Sequence, residues 1–145
     1  MLEVGNGALN FEESQAHFAL WALMKAPLIL GNDIRNIDNE TLSIISNHEI
    51  IAINQDPLGI PASRVTSKNY VDVWAGVVVD GVAVGVFNRN SKPITYNLTL
   101  SEVKFLSEQA KVRDLHAHSD LGVITGSMEV TVPPHGIKVF KLSDI

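Results

Sequence analysis

Only one apolar run in the first 60 residues can be a β-strand, and one strand cannot make a sheet. Leu28, Ile29 and Leu30 form that run, with Pro27 before it and Gly31-Asn32-Asp33 after it. A brief, wholly apolar strand suits a parallel sheet covered on both faces. Its surroundings are helical in period. Asn10 and Glu13 have capping-box spacing, in which each side chain can bond the other's backbone N–H. A helix is expected over about residues 12–25, with Ala16, Leu20, Leu23 and Met24 on one stripe. Phe18, Trp21 and Ala22 widen that stripe, and Pro27 stops the helix. A second helix is expected after Asp38 or Asn39, with Leu42, Ile44 and Ile45 inward. A further short turn carries Ile50, Ile51 and Ile53, and residues 54–59 close this part with turn chemistry. Helix, strand, helix is the repeating unit of an α/β fold. Alone it leaves unpaired edges and uncovered apolar faces, so residues 1–60 are expected to be a slice of something larger.

The pattern changes near Pro61, after which apolar residues alternate or cluster in β-branched runs. Strands are expected at about 70–74, 77–79, 82–87, 95–100, 110–115, 122–125, 128–132 and 137–142. Asp80-Gly81 is a strong hairpin signal, because both turn residues tolerate positive φ. Pro133-Pro134-His135-Gly136 is the expected turn before the last strand. About eight short strands predict an antiparallel sandwich or partly open barrel over residues 61–145.

Composition narrows the function. The chain of 145 residues is 46% hydrophobic and 19% charged, which supports a packed core. Its net charge of −5 argues against nucleic acid or an anionic membrane surface as the main partner. No apolar run reaches the ~20 residues needed to span a bilayer. Cysteine is absent, so disulfides and thiolate metal sites are excluded. The opening residues lack the basic start and apolar stretch of a signal peptide.

No pair of residues announces a catalytic site. Gly5-Asn6-Gly7 follows no strand and reads as a turn rather than a dinucleotide loop. Of the five histidines (His17, His48, His116, His118, His135), His116 and His118 would share a face of a strand. No third ligand stands beside them in the sequence, so no metal site is expected. Asp33 ends the inner run, where α/β barrels place catalytic groups, and Asp38 and Asp56 occupy neighbouring loops. Cap and turn duty is the plainer role for Asp33. Trp21 and Trp74 could stack on a sugar, but both lie within apolar patterns that suit a core. Asn39-Glu40-Thr41 and Asn97-Leu98-Thr99 are glycosylation sequons and favour a secreted protein.

Several strings together resemble one family. Met1-Leu2-Glu3-Val4-Gly5-Asn6-Gly7 looks like the continuation of the Asp-Pro-Asp-Met-Leu motif of glycoside hydrolase family 27 α-galactosidases (melibiases). Residues 18–28, Gly31-Asn32-Asp33-Ile34-Arg35 and Ile51-Ala52-Ile53-Asn54-Gln55-Asp56-Pro57-Leu58-Gly59 match its next helix, strand and loops. Val112-Arg113-Asp114-Leu115 and Val132-Pro133-Pro134-His135-Gly136 resemble its C-terminal sandwich. One departure is His116, where the family commonly has Trp.

The resemblance implies the C-terminal end of a (β/α)8 TIM barrel at 1–60, followed by a Greek-key-like antiparallel β-sandwich at 61–145. It implies a retaining hydrolase of terminal α-D-galactosyl residues, without metal or organic cofactor, in the secreted, vacuolar or lysosomal space. Retention needs two carboxyl groups ~5–5.5 Å apart. In the family both are aspartates upstream of the Asp-Pro-Asp motif, so this chain is expected to hold no catalytic residue and to be inactive alone. Met1 is the one carried-over substrate contact, lining the galactose pocket. An α-N-acetylgalactosaminidase of the same family and a free-standing carbohydrate-binding β module are the alternatives. Self-association through the open barrel edge is a further expectation.

Overall fold

A computed structural model describes residues 1–145. Helix α1 (Phe11–Leu23) begins at the capping box read from the sequence: Glu13 N donates to Asn10 Oδ1 at 2.9 Å, and Asn10 N donates to Glu13 Oε2 at 3.0 Å. It ends before Pro27 is reached, because Lys25 enters the left-handed region at φ 58°. A 3-10 turn follows at Ile34–Asn36, then α2 (Asn39–Ile45), capped by Asp38, and α3 (His48–Asn54), capped by Asn47. In α2 the expected inward trio divides: Ile44 is buried and Ile45 half-buried, but Leu42 faces solvent.

The expected strand at 28–30 shrinks to a single parallel bridge between Leu2 and Leu30. Leu2 N donates to Ile29 O at 2.8 Å and Gly31 N to Leu2 O at 3.2 Å. Met1, Ile29 and Leu30 remain exposed beside it. A parallel ladder needs neighbours on both edges, and here each strand end has one.

Eight antiparallel strands follow: β1 (Ser63–Lys68), β2 (Val71–Val78), β3 (Gly81–Asn88), β4 (Ile94–Thr99), β5 (Gln109–Asp114), β6 (Ser119–Thr125), β7 (Ser127–Val132) and β8 (Ile137–Ser143). The two strands expected at 70–74 and 77–79 are one strand, β2, and β1 was not expected at all. A six-stranded sheet runs β1-β2-β3-β8-β5-β6, and β4 pairs with β7 in a second sheet. The protein is a β-sandwich with a small helical layer.

The middle of the large sheet, at β3 and β8, is buried on both faces, which explains the unbroken apolar run of β3. Val84, Val86, Phe140 and Leu142 point between the sheets with Leu98, Val130 and Val132. Ala83, Ile137 and Val139 point the other way, against Ala19, Leu23, Ile50 and Leu2. The helical layer therefore shares one apolar cluster with the sheet. Gly85 marks a close approach: a Cβ there would stand 2.6 Å from Leu23 Cδ1, so any larger residue would force the Leu23 side chain aside.

Candidate functional site

Two regions gather the residues with chemical potential. The first is the exposed rim around the Leu2–Leu30 bridge. Met1 is 76% exposed there. Asp33 caps the 3-10 turn and pairs with Arg35, whose guanidinium donates Nε and NH2 to the carboxylate at 2.9 and 2.7 Å. Those bonds hold the Asp33 carboxyl below its ordinary range. Asp38 is likewise held down by the Thr41 N–H it accepts in capping α2. Asp56 accepts from Leu58 N at 3.1 Å and from Val79 N at 2.9 Å, tying the end of the helical layer to the β2–β3 hairpin. All three aspartates are engaged in backbone duty.

A hollow of about 500 Å³ lies nearby, lined by Glu3, Glu13, His17, Leu20, Phe87 and His135. Its carboxylates are also in use. Glu3 Oε2 accepts from Asn6 Nδ2 at 2.8 Å and Glu13 serves the capping box. His17 Nε2 accepts from Glu3 N at 3.0 Å, and burial lowers its pKa. Trp21 meets the His17 ring edge-on at 4.4 Å, and Trp74 packs half-buried on the inner cluster with its Nε1 sealed from solvent. Both tryptophans are half-buried and packed against the inner cluster.

The second region joins the helical layer to the sandwich. It is built by a bulge. Val112 pairs with Gly122 but Arg113 pairs with Asp120, so Leu121 is the extra residue on β6. The bulge sets Asp120 opposite Arg113, which donates NH1 to it at 3.0 Å. The rest of the guanidinium turns to Glu49 on α3, donating Nε at 2.6 Å and NH2 at 2.8 Å. His118, in the β5–β6 turn at φ 53°, places Nδ1 2.7 Å from Glu49 Oε1. Its ring stacks on His48, with centroids 5.2 Å apart and planes within 3°. Bonds from Arg113 hold the Glu49 carboxyl down to about 2, with His118 adding to the effect.

The strand placing His116 and His118 on one face is absent; both sit in the turn after β5. They separate. His116 is half-buried, its Nδ1 sealed without a partner, and burial pushes its pKa down to about 4. His118 instead joins His48 and Glu49, whose ligand-type atoms all lie within 4.8 Å of one another. The grouping joins His118 to residues of α3 and leaves His116 outside it. Nothing local signals it, because the partners are 69 residues apart. The sequons fall on exposed residues, Asn39 opening α2 and Asn97 within β4.

The fold so described is a β-sandwich carrying a helical layer and one parallel-bridged pair of strand ends. Residues 68–142 match the alpha galactosidase C-terminal beta sandwich domain, and residues 1–56 match the alpha galactosidase A family. The chain belongs to the α-galactosidase family and resembles the C-terminal part of its glycoside hydrolase family 27 members. It is 41% identical over 145 residues to an alpha-galactosidase of Cyamopsis tetragonoloba, covering 99% of this chain and 35% of that one. It superposes on alpha-galactosidase I from Mortierella vinacea with a TM-score of 0.95 at 36% identity, over 99% of this chain and 38% of that one. A putative alpha-N-acetylgalactosaminidase from Bacillus halodurans gives a TM-score of 0.86 at 25% identity, over 95% of this chain and 33% of that one. The chain spans about a third of the length of the curated relatives it matches.

Proposed function

We propose that residues 1–60 complete the end of a (β/α)8 barrel and that residues 61–145 form the β unit packed beside it, in a retaining α-galactosidase acting on terminal α-D-galactosides. The observation that carries this reading is the Leu2–Leu30 bridge. Two parallel strand ends linked through α1 form a βαβ unit, and their bare outer edges are what a closed barrel would pair. In this reading the two catalytic aspartates belong to earlier barrel strands, Met1 lines the galactose pocket, and no metal or organic cofactor takes part in hydrolysis. The chain by itself hydrolyses nothing. Left without neighbours, the same edges pair between copies, which light scattering would register. Two exposed sequons support a secreted, vacuolar or lysosomal setting.

The test is a chimera. Residues 1–145 replace the matching C-terminal part of the Cyamopsis tetragonoloba enzyme, and hydrolysis of a chromogenic α-galactoside is measured. The hybrid is expected to cleave it, and the 145-residue chain alone is expected not to. A folded, soluble hybrid without activity, or a chain active alone, overturns the proposal. The Bacillus halodurans neighbour favours a second substrate, α-N-acetylgalactosamine. In this reading the residues that choose between a hydroxyl and an acetamido group lie in earlier loops. A free-standing carbohydrate-binding module is disfavoured: Trp21 and Trp74 are packed, and Tyr70 is the lone strongly exposed aromatic. Saturable galactose binding by the chain alone would restore it.

A further inference from the structure

We propose that His48, Glu49 and His118 form a site for a borderline divalent transition-metal cation, of the Zn2+ class, that clamps helix α3 to the β5–β6 turn. The donor set is two imidazoles and a carboxylate. That combination suits Zn2+, Cu2+ and Ni2+ and disfavours Mg2+ and Ca2+, which take oxygen ligands.

The geometry is close to what such an ion needs. Tetrahedral Zn2+ with bonds of about 2.0–2.1 Å holds its ligand atoms about 3.3 Å apart. Here the three ligand atoms already lie within 4.8 Å of one another. His118 Nδ1 and Glu49 Oε1, 2.7 Å apart, need to widen by only about half an ångström to admit a cation between them. For a cation to bind there, His118 must present an unprotonated Nδ1: the neutral ring carries its single proton on Nε2, and any proton held between Nδ1 and Glu49 is released to solvent. His48 is exposed and its ring lies parallel to that of His118, so its in-plane lone pairs do not yet converge with those of His118. Rotation about its Cβ–Cγ bond, a soft torsion, brings a ring nitrogen round.

The surroundings supply the second requirement, a supporting shell. Arg113 fixes Glu49 through two hydrogen bonds, making the carboxylate the immobile member of the three. Its positive charge would oppose a dication, but Asp120 sits on the same guanidinium at 3.0 Å. With neutral imidazoles the cluster carries one net negative charge. Three protein ligands leave a fourth position for water. Exposure of both histidines gives the ion an open path in.

The experiment is a calorimetric titration of the full 145-residue chain with ZnCl2 in a non-coordinating buffer, paired with thermal unfolding. One saturable site is expected, with no comparable heat from MgCl2 or CaCl2. Zn2+ at roughly a hundredfold above Kd should raise Tm by about 5–10 °C. H118Q and H48N should each weaken binding at least tenfold while retaining the wild-type circular dichroism spectrum. H135Q, altered in a distant turn, should titrate like wild type. Co2+ should show tetrahedral visible absorption in wild type and lose it in H118Q. Wild-type affinity surviving in the folded H48N/H118Q double variant overturns the proposal. So does a wild-type chain with no saturable Zn2+ binding.

Discussion

Asn47 bonds to both layers at once, so its replacement tests how they are joined. It is 8% exposed. Its Oδ1 accepts from Glu49 N and Ile50 N, both at 3.1 Å, and so caps α3. Its Nδ2 donates to Leu115 O at 3.0 Å, across 68 residues of sequence. Asn47→Ala removes both functions. The lost cap costs about 1 kcal/mol. The buried Leu115 carbonyl, left without this donor, costs roughly 1–3 kcal/mol more. A loss of about 2–4 kcal/mol is expected, which lowers Tm by roughly 5–15 °C in a chain of this size. Asn47→Ser keeps an oxygen for the cap but cannot reach the carbonyl, so it should recover about 1 kcal/mol. Urea unfolding followed by circular dichroism reads both. An Asn47→Ala variant within about 0.5 kcal/mol of wild type would show that the bond to Leu115 carries no stability, refuting the reasoning.

Other outcomes follow from single contacts. Gly85→Ala drives a methyl against Leu23 Cδ1 and should cost about 1–3 kcal/mol. Pairing it with Leu23→Ala should cost less than the two losses added, and strict additivity in a double-mutant cycle would deny the contact. Tyr96 is pushed up to about 12, first by burial and then by donating its hydroxyl to Glu102. Its neutral form is thus favoured in the fold, so this stability is full below about pH 10 and is lost as pH climbs towards 12. In a Tyr70→Phe background Tyr96 is the only tyrosine, and phenolate absorbance should rise near pH 12. A midpoint near 10 in still-folded protein would contradict this. Asp56→Ala frees the Val79 and Leu58 N–H groups and should cost about 1 kcal/mol by thermal melt, while Asp56→Asn, which keeps an acceptor, should cost less.

What could be read from sequence was what is local. The capping box at Asn10 and Glu13 gave the start of α1 because its partners are three residues apart. The Asp80-Gly81 signal placed a hairpin but set its turn one residue late: Val78 pairs with Gly81, so Val79 and Asp80 make the turn and Gly81 opens β3. The edge strand β1 escaped because Ser63–Lys68 carries no alternation; it is held by backbone pairing with β2 and is mostly exposed. The run at 28–30 was legible as a strand, but its extent depends on partners, and here it bridges at one residue. Of the cluster at Glu49, the sequence offered His48 and His118 only as separate histidines. Their meeting is decided by a bulge on β6 and by how α3 packs, neither of which leaves a periodic trace.

The double-sided burial at the middle of the large sheet has a practical corollary. Cutting the protein after residue 60 would strip one face of that sheet and present Val78, Ala83, Ile137 and Val139 to water as an oily patch. The sandwich sold separately, so to speak, would be sticky and poorly soluble, and any attempt to express it in isolation should first replace those four side chains with polar ones.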